Sequence, residues 1–209
     1  KFMRLDAATR RNLELTDTLR QGGSETTLLG VLDCTVTPMG GRLMRRWLEQ
    51  PLLDVAAINE RLDAVSSAHD EELLRASLRK ALQPLGDLER LTNRVAGGTA
   101  TPRDLGAIRN TLRALPTLKE FLKPEPLSAI AQEIDPAPKA LELLQKTLVE
   151  RPPANTEKTG FIRPGCSAEL DTVMSSSRNA REWISALETL ERDRTGIKSL
   201  KVGFNKVFG

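Results

Sequence analysis

The chain contains few side chains that could act as a nucleophile, a general base or a metal ligand. Its 209 residues include one histidine, His69, and two cysteines, Cys34 and Cys166. His69 has no serine or cysteine pattern around it, and acid–base catalysis needs positioned partners. The cysteines are far apart in sequence and form no Cys-x-x-Cys pair, so they predict neither a zinc site nor a disulfide framework. We therefore predict no catalytic site and no metal site.

One segment superficially resembles a phosphate-binding loop. Residues 195–199, TGIKS, place a glycine, a lysine and a serine in the right order. A phosphate-binding loop also needs a glycine directly before the lysine and a second glycine five residues before that one. Ile197 and Arg192 occupy those two positions. We therefore expect no ATP and no Mg²⁺ cofactor in this chain.

The strongest candidate for a binding function is a basic cluster near the C-terminal end. The last 18 residues carry five positive charges and one negative charge, whereas the other 191 residues carry 26 positive and 27 negative charges. Phosphate contacts dominate non-specific affinity for DNA, and they need Lys, Arg and small amides rather than a sequence motif. We predict that six residues contact the backbone of double-stranded DNA: Arg192, Arg194, Lys198, Lys201, Asn205 and Lys206.

Arg192 and Arg194 also have an explanation without DNA. Both fall in the last turn of a predicted helix, where cations offset the negative end of the helix dipole. The two explanations are equally good for these arginines, and DNA proximity is favoured for Lys201 and Lys206.

Other basic and aromatic residues are better explained by packing. Arg42, Arg45 and Arg46 cluster on one predicted helix, where salt-bridged packing against other domains of a larger parent is favoured over phosphate contacts. Trp47 and Trp183 are interpreted as anchors against a neighbour rather than as platforms for bases.

The composition favours a helical, water-soluble protein. Hydrophobic residues make up 39% of the chain and charged residues 28%, but aromatic residues only 3%, with no tyrosine. Leu, Ile, Val and Ala must then fill the core, which suits helices better than sheets. No apolar run approaches the roughly 20 residues of a membrane span, and no signal peptide opens the chain. We expect a cytoplasmic location and no membrane partner, and we interpret the start at Lys1 without Met as a sign of an excised fragment.

Polar residues that can act as N-caps occur at the expected starts of helices. Two of these, Thr37 and Thr101, are followed by a proline at the first helical position. Pro116 is expected to break or kink its helix. Shorter helices are predicted near residues 127–134 and 138–149. The predicted N-cap residues are Asp6, Thr26, Thr37, Asp54, Asp70, Asp87 and Thr101.

The last predicted helix differs from the others in length. Residues 167–195 contain neither Pro nor Gly, which predicts a rod of roughly 40 Å. Its apolar residues step by three and four, as in a coiled coil. After Gly196, apolar and polar residues alternate at Leu200, Val202 and Phe204, which predicts the start of a β-strand. We predict an all-α fold: an elongated multi-helix domain with one long protruding helix and a short terminal strand.

Several segments resemble the MutS family of DNA mismatch-repair proteins. Residues 5–14 (LDAATRRNLE), 32–43 (LDCTVTPMGGRL) and 47–52 (WLEQPL) are similar to the entry into the core domain of that family. Residues 191–205 (ERDRTGIKSLKVGFN) are similar to its passage from a lever helix into the DNA clamp. The matches lie near both ends in the expected order, so the resemblance spans the chain.

The resemblance implies a domain organisation and a parent. Residues 1–165 would form the helical core, 166–196 the outgoing lever helix, and 197–209 the truncated start of the clamp. The parent would be a homodimer around DNA, with ATP and Mg²⁺ in a separate ATPase domain. No phenylalanine here has a glutamate two residues later, so the mismatch-reading Phe-x-Glu wedge is not carried over.

The function that this resemblance implies is structural rather than catalytic. The chain would link the mismatch-binding clamp to the ATPase head. The alternative is a free-standing helical scaffold for protein interactions, but the lack of an internal repeat and the terminal strand count against it.

Overall fold

The structure, a computed structural model, describes residues 2–19 and 24–201. Within those ranges it contains ten α-helices, one 3-10 helix and no strand, with an isolated antiparallel bridge between Phe2 and Leu52. The all-α prediction is therefore confirmed. The elements are α1 (Ala7–Asn12), a 3-10 helix (Ser24–Thr26), α2 (Leu28–Leu32), α3 (Pro38–Glu49), α4 (Val55–Asp70), α5 (Glu72–Leu82), α6 (Leu88–Ala96), α7 (Pro102–Phe121), α8 (Ser128–Glu133), α9 (Pro138–Thr147) and α10 (Ala168–Thr195).

The chain divides into two compact units. The first covers Lys1–Phe161 and contains α1 to α9, and the second covers Ile162–Gly209 and contains α10.

Most helices begin where a side chain can accept a hydrogen bond from an otherwise unpaired backbone N–H. Thr37 Oγ1 accepts from Gly40 N at 3.1 Å, and Asp54 Oδ1 accepts from Ala57 N at 2.9 Å. At the start of α7, Asp104 N donates to Thr101 Oγ1 at 3.2 Å, while Thr101 N donates to Asp104 Oδ2 at 2.9 Å. Thr101 is therefore the N-cap, as predicted, and together with Asp104 it forms a capping box.

Three predicted boundaries differ from the structure. Asp70 is the last residue of α4 rather than the cap of α5, which begins at Glu72 without a side-chain cap. No Gly or Pro interrupts residues 55–70, so nothing in the sequence ends α4 earlier. Thr27, not Thr26, caps α2. Pro116 lies inside α7, which continues to Phe121.

The core of the first unit forms around α7. This 20-residue helix buries Ile108, Leu112, Leu115 and Leu118 along one face, and α5, α6 and α9 all contact it. Buried leucines on both sides of Pro116 explain why the helix continues through it: their packing outweighs the loss of one backbone hydrogen bond. Leucine and alanine fill this core, as the composition predicted.

A buried arginine attaches the end of α9 to α7. Arg109 is fully buried. Its Nη1 donates to Val149 O at 2.8 Å and to Leu148 O at 3.4 Å, and its Nη2 donates to Glu150 O at 2.6 Å. These carbonyls belong to the C-cap residue of α9 and the two residues after it. The guanidinium therefore holds the segment that follows α9 against α7.

A second arginine joins α3 to the start of α6. Arg42 Nη1 and Nη2 each lie 2.7 Å from an oxygen of Asp87, and Nη2 also lies 2.7 Å from Glu89 Oε2. The hydrogen bonds from Arg42 lower the pKa of Asp87 to about 2, and the pKa of Arg42 is raised. Arg42 thus takes part in salt-bridged packing, with its partners in the same unit.

The ion pair predicts a specific dependence of stability on pH. Asp87→Asn keeps an oxygen that can cap α6 but removes the charge that Arg42 binds. A carboxylate with a lowered pKa stabilises the fold above its unfolded pKa of about 3.8, and this contribution is lost as the pH falls towards the folded value of about 2. In urea unfolding, the free energy of unfolding of the parent should therefore exceed that of Asp87→Asn. This difference should be constant down to about pH 4 and should decrease below it. In an Arg42→Gln background, Asp87→Asn should change the free energy of unfolding little. If the full difference persists in that background, the loss comes from the N-cap of α6 and not from the ion pair.

The buried arginine predicts a larger loss of stability. Arg109→Met removes the three hydrogen bonds that a fully buried guanidinium donates to residues 148–150, so the free energy of unfolding should fall by roughly 2–4 kcal/mol. Arg113→Met is the matched control, because Arg113 binds the exposed carboxylate of Glu150 at 2.8 Å, and exposed ion pairs contribute about 0–1 kcal/mol. Denaturant unfolding measures both, and equal losses would contradict the role given to Arg109.

Candidate nucleic-acid interface

The candidate site lies at the C-terminal end of α10. The helix starts at the cap Ser167, whose Oγ accepts from Leu170 N at 3.2 Å. It ends at Gly196, which has φ 72°, in the left-handed region that glycine adopts without a steric penalty. Leu200 N then donates to Ile197 O at 3.2 Å, closing a turn. The predicted bounds of this helix and its glycine stop agree with the structure.

Arg192 is already used within this end of the helix. Its Nε donates to Leu200 O at 2.7 Å, and its Nη2 binds the carboxylate of Glu188 one turn earlier. The side chain thereby holds the turn that follows Gly196. Its first role is structural, and its charge is offset by Glu188.

Arg194 is paired in the same way with an acidic neighbour. Its Nε and Nη2 lie 2.9 Å and 2.8 Å from Glu191 Oε2. These hydrogen bonds raise the pKa of Arg194. Pairs of opposite charge three or four residues apart are typical of helix surfaces, and this spacing is visible in the sequence. Glu188 and Glu191, three or four residues before the arginines, are the signal in the sequence for this pairing.

Lys198 and Lys201 differ from the two arginines. Both are exposed, and within residues 2–19 and 24–201 neither forms an ion pair or a hydrogen bond through its side chain. An ammonium on a flexible stem can bind a phosphate oxygen without first breaking an internal contact. The structure therefore separates the predicted cluster into two internally bound arginines and two available lysines.

The remainder of the predicted cluster lies outside the described residues. Asn205 and Lys206 belong to residues 202–209, as does most of the predicted β-strand. Leu200 and Lys201, the part of that segment which the structure describes, form no strand. A single strand has no hydrogen-bonded neighbour to stabilise it.

Several other candidates occupy ordinary structural positions. His69 is exposed in the last turn of α4, with Nδ1 3.1 Å from Asp70 Oδ1. Cys34 is exposed and Cys166 is half-buried, and neither forms a disulfide. Trp47 has the guanidinium carbon of Arg61 4.0 Å from its ring centre, a cation–π contact that explains its half-exposed position.

Neither metal-binding clusters nor membrane helices are found in the described part of the chain. No three side chains among its His, Cys, Asp and Glu residues are grouped to hold an ion. None of its helices combines the length and the apolar character that crossing a membrane requires.

Comparison with known proteins identifies the family. The profile of MutS domain III matches residues 8–200. The chain is 47% identical over 208 residues to the DNA mismatch repair protein MutS of Salinibacter ruber, covering 98% of this chain and 23% of the relative. It is 46% identical over 213 residues to MutS of Pelotomaculum thermopropionicum, and 47% identical over 211 residues to MutS of a Synechococcus strain, covering all of this chain and about a quarter of each relative. The chain thus spans about a quarter of the length of these relatives, and it belongs to the MutS domain III family.

Proposed function

We propose that the chain is a non-catalytic structural and transmission domain of a DNA mismatch-repair ATPase. It would connect a DNA-gripping clamp to an ATPase head in the same parent chain. The membership in MutS domain III and the curated relatives, all named DNA mismatch repair proteins, support this proposal. Residues 1–165 would form the core, 166–196 the lever and 197–209 the start of the clamp.

The geometry of α10 supports a mechanical role. Its 28 residues span about 42 Å, and no Pro or Gly interrupts them. A continuous helix moves its two ends together, so a shift imposed at Ser167 is carried to Gly196. Coupling of this kind requires sites at both ends that favour different states. We place the DNA site at the Gly196 end and the ATP and Mg²⁺ site in another domain of a homodimeric parent.

The proposed DNA role is supported by a difference in side-chain contacts between two lysines and two arginines near the end of α10. Lys198 and Lys201 are exposed and available, whereas Arg192 and Arg194 are bound to Glu188 and Glu191. We therefore assign the main phosphate contacts to the two lysines, with Asn205 and Lys206 beyond them. The arginines would shape the turn that presents these residues.

This assignment predicts an unequal effect of two double variants on DNA binding. The chain should bind duplex DNA weakly, without preference for a mismatch, and with a steep dependence on salt. Lys198→Ala/Lys201→Ala should reduce the slope of log affinity against log salt by about 2, because each lost phosphate contact removes about one unit. Arg192→Ala/Arg194→Ala should reduce it less. Fluorescence anisotropy with a labelled duplex measures both.

The matched control is Lys139→Ala/Lys158→Ala. These lysines are also exposed but lie in the first unit, and their replacement should leave binding unchanged. Tighter binding to a mismatched duplex, or an equal loss from the control pair, would contradict the assignment.

A second prediction concerns nucleotides. Isothermal calorimetry with millimolar ATP and Mg²⁺ should show no saturable heat, because residues 192–199 lack both glycines of a phosphate-binding loop. A binding signal that survives further purification, and that Lys198→Ala abolishes, would overturn this expectation.

A further inference from the structure

The end of the first unit is a loop whose two ends lie side by side. Residues 150–160 form neither helix nor strand, and we call them the strap. One backbone hydrogen bond joins the residues on either side of the strap: Val149 N donates to Phe161 O at 3.0 Å. Phe161 is the last residue of the first unit. The chain therefore leaves this unit beside the end of α9, with the strap folded back between the two points.

One face of α7 holds the start of the strap. Arg109 donates to the three carbonyls described above, and Arg113 Nη1 lies 2.8 Å from Glu150 Oε1. Gly106 lies so close to Pro152 that a Cβ there would come within 2.9 Å of the proline Cγ. These three α7 residues are three and four positions apart, so they lie on one face of the helix. The strap thus begins along a single stripe of α7.

The strap lacks the apolar side chains that hold the rest of the first unit together. Residues 150–160 include no Leu, Ile, Val, Met or aromatic residue, and residues 154–160 are all exposed. The side chains of Glu150 and Arg113 are 60% and 44% exposed, and ion pairs this exposed contribute little to stability. The hydrogen bonds from Arg109 are therefore the main contacts that hold the strap on α7.

Hydration of Arg109 makes the closed and the detached strap closer in free energy. In the closed arrangement the Nε of Arg109 is buried without a partner among the described residues. With the strap detached, water can reach the guanidinium and accept from all of its N–H groups. Exchanging protein hydrogen bonds for bonds to water has a small net cost. Detachment should therefore require less free energy than unfolding of α7, which would also expose the buried leucines.

We propose that the strap detaches from α7 as a unit while the helical core stays folded, and that Arg109 controls how often it does so. Hydrogen-bonded partners such as Val149 and Phe161 lie about 5 Å apart. Once released, the chain between them can extend to about 40 Å. The strap therefore holds spare length, which lets the second unit move without unfolding α9.

This inference rests on the proposed transmission function and adds a means of regulating it. With the strap closed, a movement of α10 pulls directly on the end of α9 and on α7. With the strap detached, the same movement extends residues 150–160 and does not reach the core. Arg109 is then a positioning residue for the coupling between the two units.

Amide exchange of the 209-residue chain, followed by NMR at increasing urea concentrations, tests the detachment. The N–H of Val149 reports on the strap, because it donates to Phe161 O. The amides of Leu112 and Leu115 report on α7. Val149 should exchange at least about 100-fold faster than the α7 amides. Its rate should also depend much less on urea, because detachment exposes little surface.

Two variants should weaken the closed strap by different amounts. Arg109→Met should lower the protection of the Val149 amide about 30-fold or more, because it removes all three hydrogen bonds to the segment after α9. Glu150→Gln removes only the exposed ion pair and should lower it about threefold. The milder variant leaves the buried guanidinium in place, so it tests the proposal even with a core that does not tolerate Arg109→Met.

Ile108→Val is the matched control. This residue is buried in the core beside Arg109, and losing one methyl group should lower the protection of the α7 amides by about threefold to tenfold. The Val149 amide should keep its rate, because the core remains folded when the strap detaches. An equal change at Val149 would show that the strap opens only when the whole unit unfolds.

A distance measurement tests the spare length. With both native cysteines replaced by serine, spin labels are attached through Lys139→Cys in the first unit and Arg178→Cys in the second, both at exposed positions. Electron-electron resonance should give a broader distribution of label distances when Arg109→Met is added, and the same distribution when Ile108→Val is added.

Two results would overturn the proposal. One is the same exchange rate and the same urea dependence for Val149 and the α7 amides. The other is an unchanged distance distribution in an Arg109→Met chain whose Val149 amide has lost its protection. Neither measurement involves DNA, so the loss of DNA binding expected for Lys198→Ala/Lys201→Ala succeeds or fails independently of the strap.

Discussion

The guanidinium of Arg109 is the contact on which the packing of the first unit most depends. A charged group with no solvent exposure is costly unless hydrogen bonds replace its lost water. Here carbonyls of residues 148–150 accept hydrogen bonds from Nη1 and Nη2 and replace part of that water, while the buried Nε of Arg109 has no partner among the described residues. The same bonds hold the segment after α9 against α7.

The sequence predicted the helices well because their starts are local. A threonine or an aspartate accepts a hydrogen bond from a backbone N–H two or three residues later, so Thr37, Asp54, Asp87 and Thr101 could be recognised without knowledge of the fold. Pro116 does not break its helix, because its local cost is outweighed by leucines that pack across α7. Asp70 was misjudged because an N-cap residue type also occurs at the end of a helix, where nothing local distinguishes it.

Long-range contacts account for what the sequence could not predict. Arg109 looks like any arginine on a helix until residues 148–150 are brought to it. Arg42 was predicted to form salt bridges with other domains, which is wrong: its partners Asp87 and Glu89 lie in the same unit, more than 40 residues away in sequence. At the candidate site the reverse holds. Glu188 and Glu191 lie within one turn of the arginines they bind, so the division between bound arginines and available lysines was present in the spacing.

The charge on α10 is arranged so that its own carboxylates neutralise the arginines of its last turn. Beyond Gly196 the chain carries Lys198 and Lys201 with no acidic residue between them. The helix end is thus close to neutral, and the positive potential begins in the turn. An incoming polyanion would meet lysines on flexible stems before it meets the rigid rod.

Gly106 illustrates how packing can imitate function. A Cβ at this position of α7 would lie 2.9 Å from Cγ of Pro152, part of a rigid ring that cannot turn away. Every other amino acid would therefore push α7 from the segment that Arg109 holds. In a complete scan of substitutions, position 106 should therefore tolerate few changes, and its intolerance would look the same as that of a binding residue. A map of tolerated changes read without the structure would mark a functional site where the structure shows a close approach of a helix to a proline.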